Sequence, residues 1–93
     1  MKDILVVAKL NEGKFEKFMS FMQSEEGINE RRKIADLTKT LGTVSPDKTA
    51  VMFKIAVHNK GALRSFLDGS NLISKPIFDE VMESYDIFEL IKI

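Results

Sequence analysis

Ile4-Leu5-Val6-Val7-Ala8-Lys9-Leu10 is a nearly unbroken apolar run, and Phe15, Phe18, Met19 and Met22 follow it at i, i+3, i+4 and i+7. The run has the length and composition of a buried strand, and the spacing after it is one face of a helix. The same pair of signals recurs at Ala50 to Val57, followed by Ala62, Leu63, Phe66 and Leu67 at helical spacing. Two further strand-like runs, Ile34 to Val44 and Tyr85 to Ile93, complete the order β-α-β-β-α-β. That order predicts an α+β, ferredoxin-like sandwich over residues 1–93, read as one domain.

Right-handed crossovers set strands one and three side by side at the centre, parallel to each other, with four and two at the edges. The expected sheet is an antiparallel one of order 4-1-3-2, with helices on one face only. Ile4, Val6, Ala8, Val51, Phe53, Ile55 and Val57 then face the helices. Leu5, Val7, Lys9, Met52, Lys54 and Ala56 face the other way, with Phe88 and Leu90 beside them. An uncovered apolar face costs about 25 cal/mol per Å², and a second copy of the chain is the simplest cover. Leu5, Val7, Leu37, Leu41, Met52 and Ala56 are the expected interface of a homodimer.

Between the strands, Asn11 is placed as an N-cap of the first helix, with Glu12 near the positive end of its dipole. Ser24 to Lys33 is charged, contains Gly27, and reads either as more helix or as a loop. Ser45-Pro46-Asp47-Lys48 has Pro and Asp at the second and third positions of a type I turn, which makes strands two and three a hairpin. Asn59 caps the second helix, Asp68-Gly69-Ser70-Asn71 ends it, and Ser74 and Pro76 open a further turn that points Ile77, Phe78, Val81 and Met82 inward. The fourth strand is expected at Asp86 to Ile93.

Composition narrows the chemistry. Fourteen basic and fourteen acidic side chains cancel, which leaves no field to gather nucleic acid or an anionic membrane. There is no cysteine and one histidine, so no disulfide framework, thiolate nucleophile, Cys-based metal centre or multi-His site within one chain is expected. No cofactor and no metal are therefore predicted. Met1-Lys2-Asp3 leads directly into a strand too short for a signal sequence or a membrane span, and the expected location is the cytoplasm.

Four residues are candidates for ligand binding. His58 is the chain's one histidine, the residue type suited to proton transfer and ligand donation near neutral pH; it is either a base or ligand donor at a barrel mouth, or the plain end of strand three beside a helix cap. Lys9, Lys39 and Lys54 interrupt apolar strands. If Ser45 pairs with Lys48, Lys39 lies opposite Lys54, and two like charges in that position call for an anion or an acidic partner between them. A bulge that shifts the register separates them instead. Glu30-Arg31-Arg32-Lys33 reads as solvated surface. The Phe and Met residues of the first helix read as core, with a second use as the soft wall of an apolar pocket.

Val51-Met52-Phe53-Lys54-Ile55-Ala56-Val57-His58-Asn59-Lys60-Gly61-Ala62-Leu63-Arg64-Ser65-Phe66-Leu67, with Lys75-Pro76-Ile77-Phe78 after it, resembles the third strand and following helices of the dimeric α/β-barrel superfamily. That superfamily includes antibiotic-biosynthesis-type monooxygenases, haem-degrading relatives and stress-responsive barrel proteins. The resemblance implies a sheet-to-sheet dimer and a small hydrophobic ligand between sheet and helices. It implies no catalytic residue here. Val57 stands where many monooxygenase-like members carry Trp, Ser65 and Phe66 where many carry His, and the haem-degrading Asn, Trp and His set cannot be assembled.

Asn11-Glu12-Gly13-Lys14-Phe15 is similar to the strand–Gly–helix corner of ACT-type regulatory modules. An RNA-recognition domain shares the element order but needs stacking aromatics on strands one and three. Strand one has none, and Phe53 faces the helices. The resulting expectation is a cytoplasmic homodimer that binds a small, partly apolar molecule, acting either as a cofactor-independent monooxygenase or isomerase or as a non-catalytic sensor.

Overall fold

In the computed structural model, which describes residues 1–93, β1 (Lys2–Leu10) is the hinge of the architecture. Its burial alternates, with Ile4, Val6, Ala8 and Leu10 buried and Leu5 and Val7 only half-buried. After it come α1 (Phe15–Met22), α2 (Glu25–Arg32), β2 (Ala35–Val44), β3 (Ala50–Val57), α3 (Lys60–Asp68), α4 (Lys75–Val81) and β4 (Met82–Glu89). The sheet order is β2-β3-β1-β4, the expected 4-1-3-2 read from the other edge.

Every neighbouring pair is antiparallel, so the expectation that strands one and three run parallel is corrected. The helical crossover brings β2 back parallel to β1 with one strand's width left between them. The hairpin then reverses the chain, and β3 fills that gap antiparallel to both.

The helix termini follow local chemistry. α1 begins at Lys14 without a side-chain cap. Asn11 does not cap it; its side-chain amide donates to the Glu80 carbonyl at 2.8 Å, and its backbone N–H donates to the Val81 carbonyl at 2.9 Å. The residue instead fastens the end of β1 to α4. Ser24 to Lys33, left open by the sequence, is mostly helix. Ser24 Oγ accepts from the Gly27 N–H at 3.0 Å, Glu25 and Glu26 occupy the first turn, and Arg31 and Arg32 the last, so the charges match the helix dipole at both ends. Asn59 caps α3 through the Ala62 N–H at 3.0 Å, and Gly69 ends it in the left-handed region at φ 89°. The buried Ser74 hydroxyl donates to the Phe66 carbonyl at 2.7 Å and ties α4 to α3.

Two strand assignments move. β4 begins at Met82, directly after α4, and ends at Glu89, so both of its boundaries lie four residues earlier than expected at Asp86 to Ile93. In the hairpin, Lys48 donates to the Ser45 carbonyl at 2.9 Å as a type I turn requires, but Lys48 itself takes φ 60° and the first ladder pair is Val44 with Val51. That register sets Leu41, not Lys39, opposite Lys54. A bulge follows between Asp36 and Leu41, after which Asp36 pairs with Ala56.

The core lies between the sheet and the helices. Phe18, Phe66 and Phe78 are buried there, with Phe66 edge-on to Phe78 at 5.0 Å and Phe18 stacked on Phe78 at 6.0 Å. Phe53 of β3 reaches the same cluster through Phe18, at 6.1 Å.

Candidate functional site

The bulge in β2 has a chemical cause. Asp36 Oδ1 accepts from both the Thr38 N–H (2.9 Å) and the Thr38 hydroxyl (2.7 Å), and the Thr40 hydroxyl donates to the Asp36 carbonyl at 3.3 Å. These local bonds stand in for ladder bonds over residues 37–40. Bonding to the Thr38 hydroxyl and then to its N–H holds the Asp36 carboxyl below the usual carboxylate range. The consequence is a wall: Leu37 and Thr40 line a cavity on the helix side of the sheet.

That cavity measures about 60 Å³ and has sixteen lining residues, fourteen of them hydrophobic. Its floor is Val6 and Ala8 of β1 with Phe53 and Ile55 of β3; its roof is Phe18 and Met22 of α1 with Leu63 and Phe66 of α3 and Phe78 of α4. The two exceptions to its apolar lining are Arg31 and Thr40. Space for water centres of this size corresponds to on the order of four to six waters, about 120–180 Å³ of liquid, which suits a short aliphatic chain or a single ring.

Arg31 reaches this wall from the last turn of α2. Its Nη1 donates to the Met22 carbonyl at 2.9 Å, an acceptor at the C-terminal end of α1. Burial lowers the pKa of the guanidinium from its ordinary value, and the group remains a cation. Glu30 beside it is engaged elsewhere, accepting from Lys33 at 2.7 Å and from Asn71 at 2.8 Å. These two bonds, Lys33 first, hold its carboxyl below the usual range.

The residues singled out from the sequence do not converge on this cavity. The His58 ring lies against the Arg32 carbonyl, 3.0 Å from Nε2, and its backbone N–H donates to the Ile34 carbonyl at 2.9 Å, so it pins β3 to the entry of β2. Lys9 sits at the far end of the sheet, opposite Ala50, and pairs with Glu83 at 3.8 Å. Seven residues of β1 separate it from the end that holds His58, about 23 Å of strand. Lys39 is exposed within the bulge, so the two-lysine anion site over Lys39 and Lys54 is not formed. Leu37 leaves the proposed interface set and lines the cavity, while Ala56 is buried within the chain.

Leu5, Val7, Leu41 and Met52 do share the open face. One row across it is Leu41, Lys54, Leu5 and Phe88; the next is Thr43, Met52, Val7 and Asp86. Four large apolar side chains stand in water there: Leu41 at 63%, Phe88 at 50%, Met52 at 42% and Leu90 at 40% exposed.

Arg31 and Thr40 are the residues that sequence reading missed. A signal for Arg31 exists. Gly27, Ile28, Arg31 and Ile34 fall at i, i+1, i+4 and i+7, the inward stripe of a helix, and all four are at least half-buried. The charge run around Arg31 hides that spacing. No group of three or more His, Asp or Glu side chains stands close enough to hold a metal ion, and no helix is long and apolar enough to cross a membrane.

Fold and cavity together define a small ferredoxin-like α+β protein with an apolar chamber between sheet and helices. No protein-family model and no curated protein matches the chain. Among solved structures it is similar to an uncharacterised NIPSNAP domain protein from Burkholderia xenovorans, with a TM-score of 0.66 and 16% identity over 100% of this chain and 95% of that one. It is also similar to a protein from Agrobacterium tumefaciens, at a TM-score of 0.67 and 14% identity over 97% and 91% of the two chains. A third is from Shewanella oneidensis, at a TM-score of 0.56 and 18% identity over 96% and 89%. At such identities the likeness is one of fold.

Proposed function

We propose that this chain is a homodimer, sheet face against sheet face, in which each subunit binds a small, partly apolar molecule in the chamber between sheet and helices. The observation that carries the reading is the cavity itself: fourteen of its sixteen lining residues are hydrophobic, around a space of about 60 Å³ whose surface is almost wholly apolar. Pockets for small molecules are lined predominantly by hydrophobic and aromatic side chains.

Binding is favoured over catalysis by the same lining. An oxygenase or isomerase that works without a cofactor needs a base or a nucleophile beside its substrate. Arg31 is the only titratable side chain in the wall, and an arginine is always protonated at neutral pH. The assembly half of the proposal is supported by the open face, whose exposed Leu41, Met52 and Phe88 lie among charges of both signs, Lys54 and Asp86. A two-fold axis through such a patch sets it against itself and lets opposite charges meet. The cytoplasm is the compartment proposed with this reading. Neither nucleic acid nor a membrane is part of it.

Thermal unfolding tests the chamber. Hexanol at about ten times its dissociation constant stabilises by about 1.4 kcal/mol, or about 6–11 °C for a chain of this size. Ala8→Leu, which fills the floor of the cavity, is expected to abolish that response while the protein still unfolds cooperatively. An equal hexanol response in Ala8→Leu contradicts the proposal.

A further inference from the structure

Gly42 is a glycine that backbone conformation does not require. Only Gly13 and Gly69 among the glycines take positive φ, and glycine within a strand weakens it unless something approaches closely. Here the close neighbour is a ring. Gly42 pairs with Phe53, whose partner on the other side is Val6. A Cβ at Gly42 would fall 2.9 Å from Phe53 Cε1 and 3.2 Å from Phe53 Cδ1, so the ring occupies the space that a side chain on β2 would take. Phe53, Val6 and Phe18 all line the chamber, and the Phe53 and Phe18 ring centroids are 6.1 Å apart. The surface they help to form is almost wholly apolar. The two polar side chains of the lining bond elsewhere, Arg31 to the Met22 carbonyl at 2.9 Å and Thr40 to the Asp36 carbonyl at 3.3 Å, and no buried side-chain nitrogen or oxygen lacks a partner. A hydroxyl or a charge brought inside therefore gives up hydration for no new bond.

We propose that the chamber takes an uncharged, ring-sized hydrocarbon, and that Gly42 sets its width by letting the Phe53 ring lean over β2. This rests on the chamber being a ligand site. A side chain at position 42 drives the ring back toward Val6 and Phe18, and the room lost is room for the ligand. Gly42 itself touches no ligand; it is a specificity-determining residue that acts through Phe53. Selection in such a site is by shape and by the loss of hydration, since an apolar cavity of this kind holds an apolar guest in preference to water.

Isothermal titration of the intact protein with toluene, phenol and hexanol tests this. Toluene and phenol share a shape and differ by a methyl group for a hydroxyl, so toluene is expected to bind at least about tenfold more tightly, and Ala8→Leu to abolish its binding. Gly42→Ala is expected to weaken toluene at least about tenfold and the slimmer hexanol chain less. In a Phe53→Leu background the same substitution is expected to leave toluene unchanged, because the ring it displaces is gone. Phenol bound as tightly as toluene overturns the hydrocarbon while the chamber stands. Equal weakening of toluene and hexanol by Gly42→Ala, or none, overturns Gly42 as the residue that sets the width, and a loss that persists without the ring overturns the route through Phe53. Toluene binding that survives Ala8→Leu, or failure of all three probes to bind, overturns the chamber and this inference together. Should Gly42→Ala not fold, Phe53→Leu alone decides: isopropylbenzene is expected to gain on toluene once the ring is gone, and an unchanged ratio overturns the role of Phe53.

Discussion

Asp36 and Asp47 show how far a single short acidic side chain directs the chain's path. Asp47 accepts from the Ser45 hydroxyl (2.7 Å), the Thr49 N–H (3.1 Å) and the Thr49 hydroxyl (2.7 Å), closing the hairpin loop, while Asp36 folds β2 off its ladder. Glu80 works between elements. It accepts from Lys17 at 2.6 Å and from Lys14 at 3.1 Å, clamping α1 to α4, and these bonds, Lys17 first, hold its carboxyl below the usual carboxylate range. A carboxylate whose pKa is lower folded than unfolded contributes stability above its unfolded value and loses it as pH falls through the folded one. Stability is therefore expected to decline below about pH 4.5. Glu80→Gln, with no proton to take up, is expected to show a shallower decline in urea midpoints measured from neutral pH downward. The difference is expected to shrink in high salt, because the pair is exposed to solvent. Identical pH profiles for the two proteins contradict this account of the clamp.

Elements were legible in the sequence wherever hydrophobic period and turn chemistry agreed. β1, β3 and the stripes of α1 and α3 follow from spacing alone, and Asn59 and Gly69 mark both ends of α3. Register was not legible. A hairpin whose turn adds an αL residue at Lys48 and a strand rerouted by Asp36 both move pairings without altering the hydrophobic pattern. For the same reason Leu37 lies on the helix side and not on the open face, and Leu41, not Lys39, lies opposite Lys54. The sequence leaves α2 open because its residues are mostly polar; the Ser24 cap and the end charges, beside a short inward stripe of Gly27, Ile28 and Arg31, make it a helix. Gly27 gives that helix a strict requirement. It is buried, and a Cβ there collides with the Phe21 carbonyl at the corner between α1 and α2. Gly27→Ala is expected to cost about 1–3 kcal/mol in denaturant unfolding, despite alanine's higher helix propensity. A neutral or stabilising effect contradicts the close packing of that corner.

The whole molecule presents two faces of a sheet with different fates. Helices cover one, leaving a partly open cavity of about 60 Å³ with Arg31 among its lining residues. The other carries Leu5, Val7, Leu41, Met52 and Phe88 across two adjacent rows, with Lys54, Thr43 and Asp86 among them. The proposed sheet-to-sheet dimer makes both faces interior, and Val7, between Met52 and Asp86 near the middle of the open face, is its most sensitive point. A carboxylate introduced there is buried without a partner in the dimer and solvated in the monomer. Native mass spectrometry of the purified protein beside Val7→Glu is the most direct test, because it counts subunits and detects retained small molecules together. The account predicts a dimer carrying a small bound species for the unmodified chain and a folded monomer for Val7→Glu. A bare monomer for the unmodified chain contradicts it.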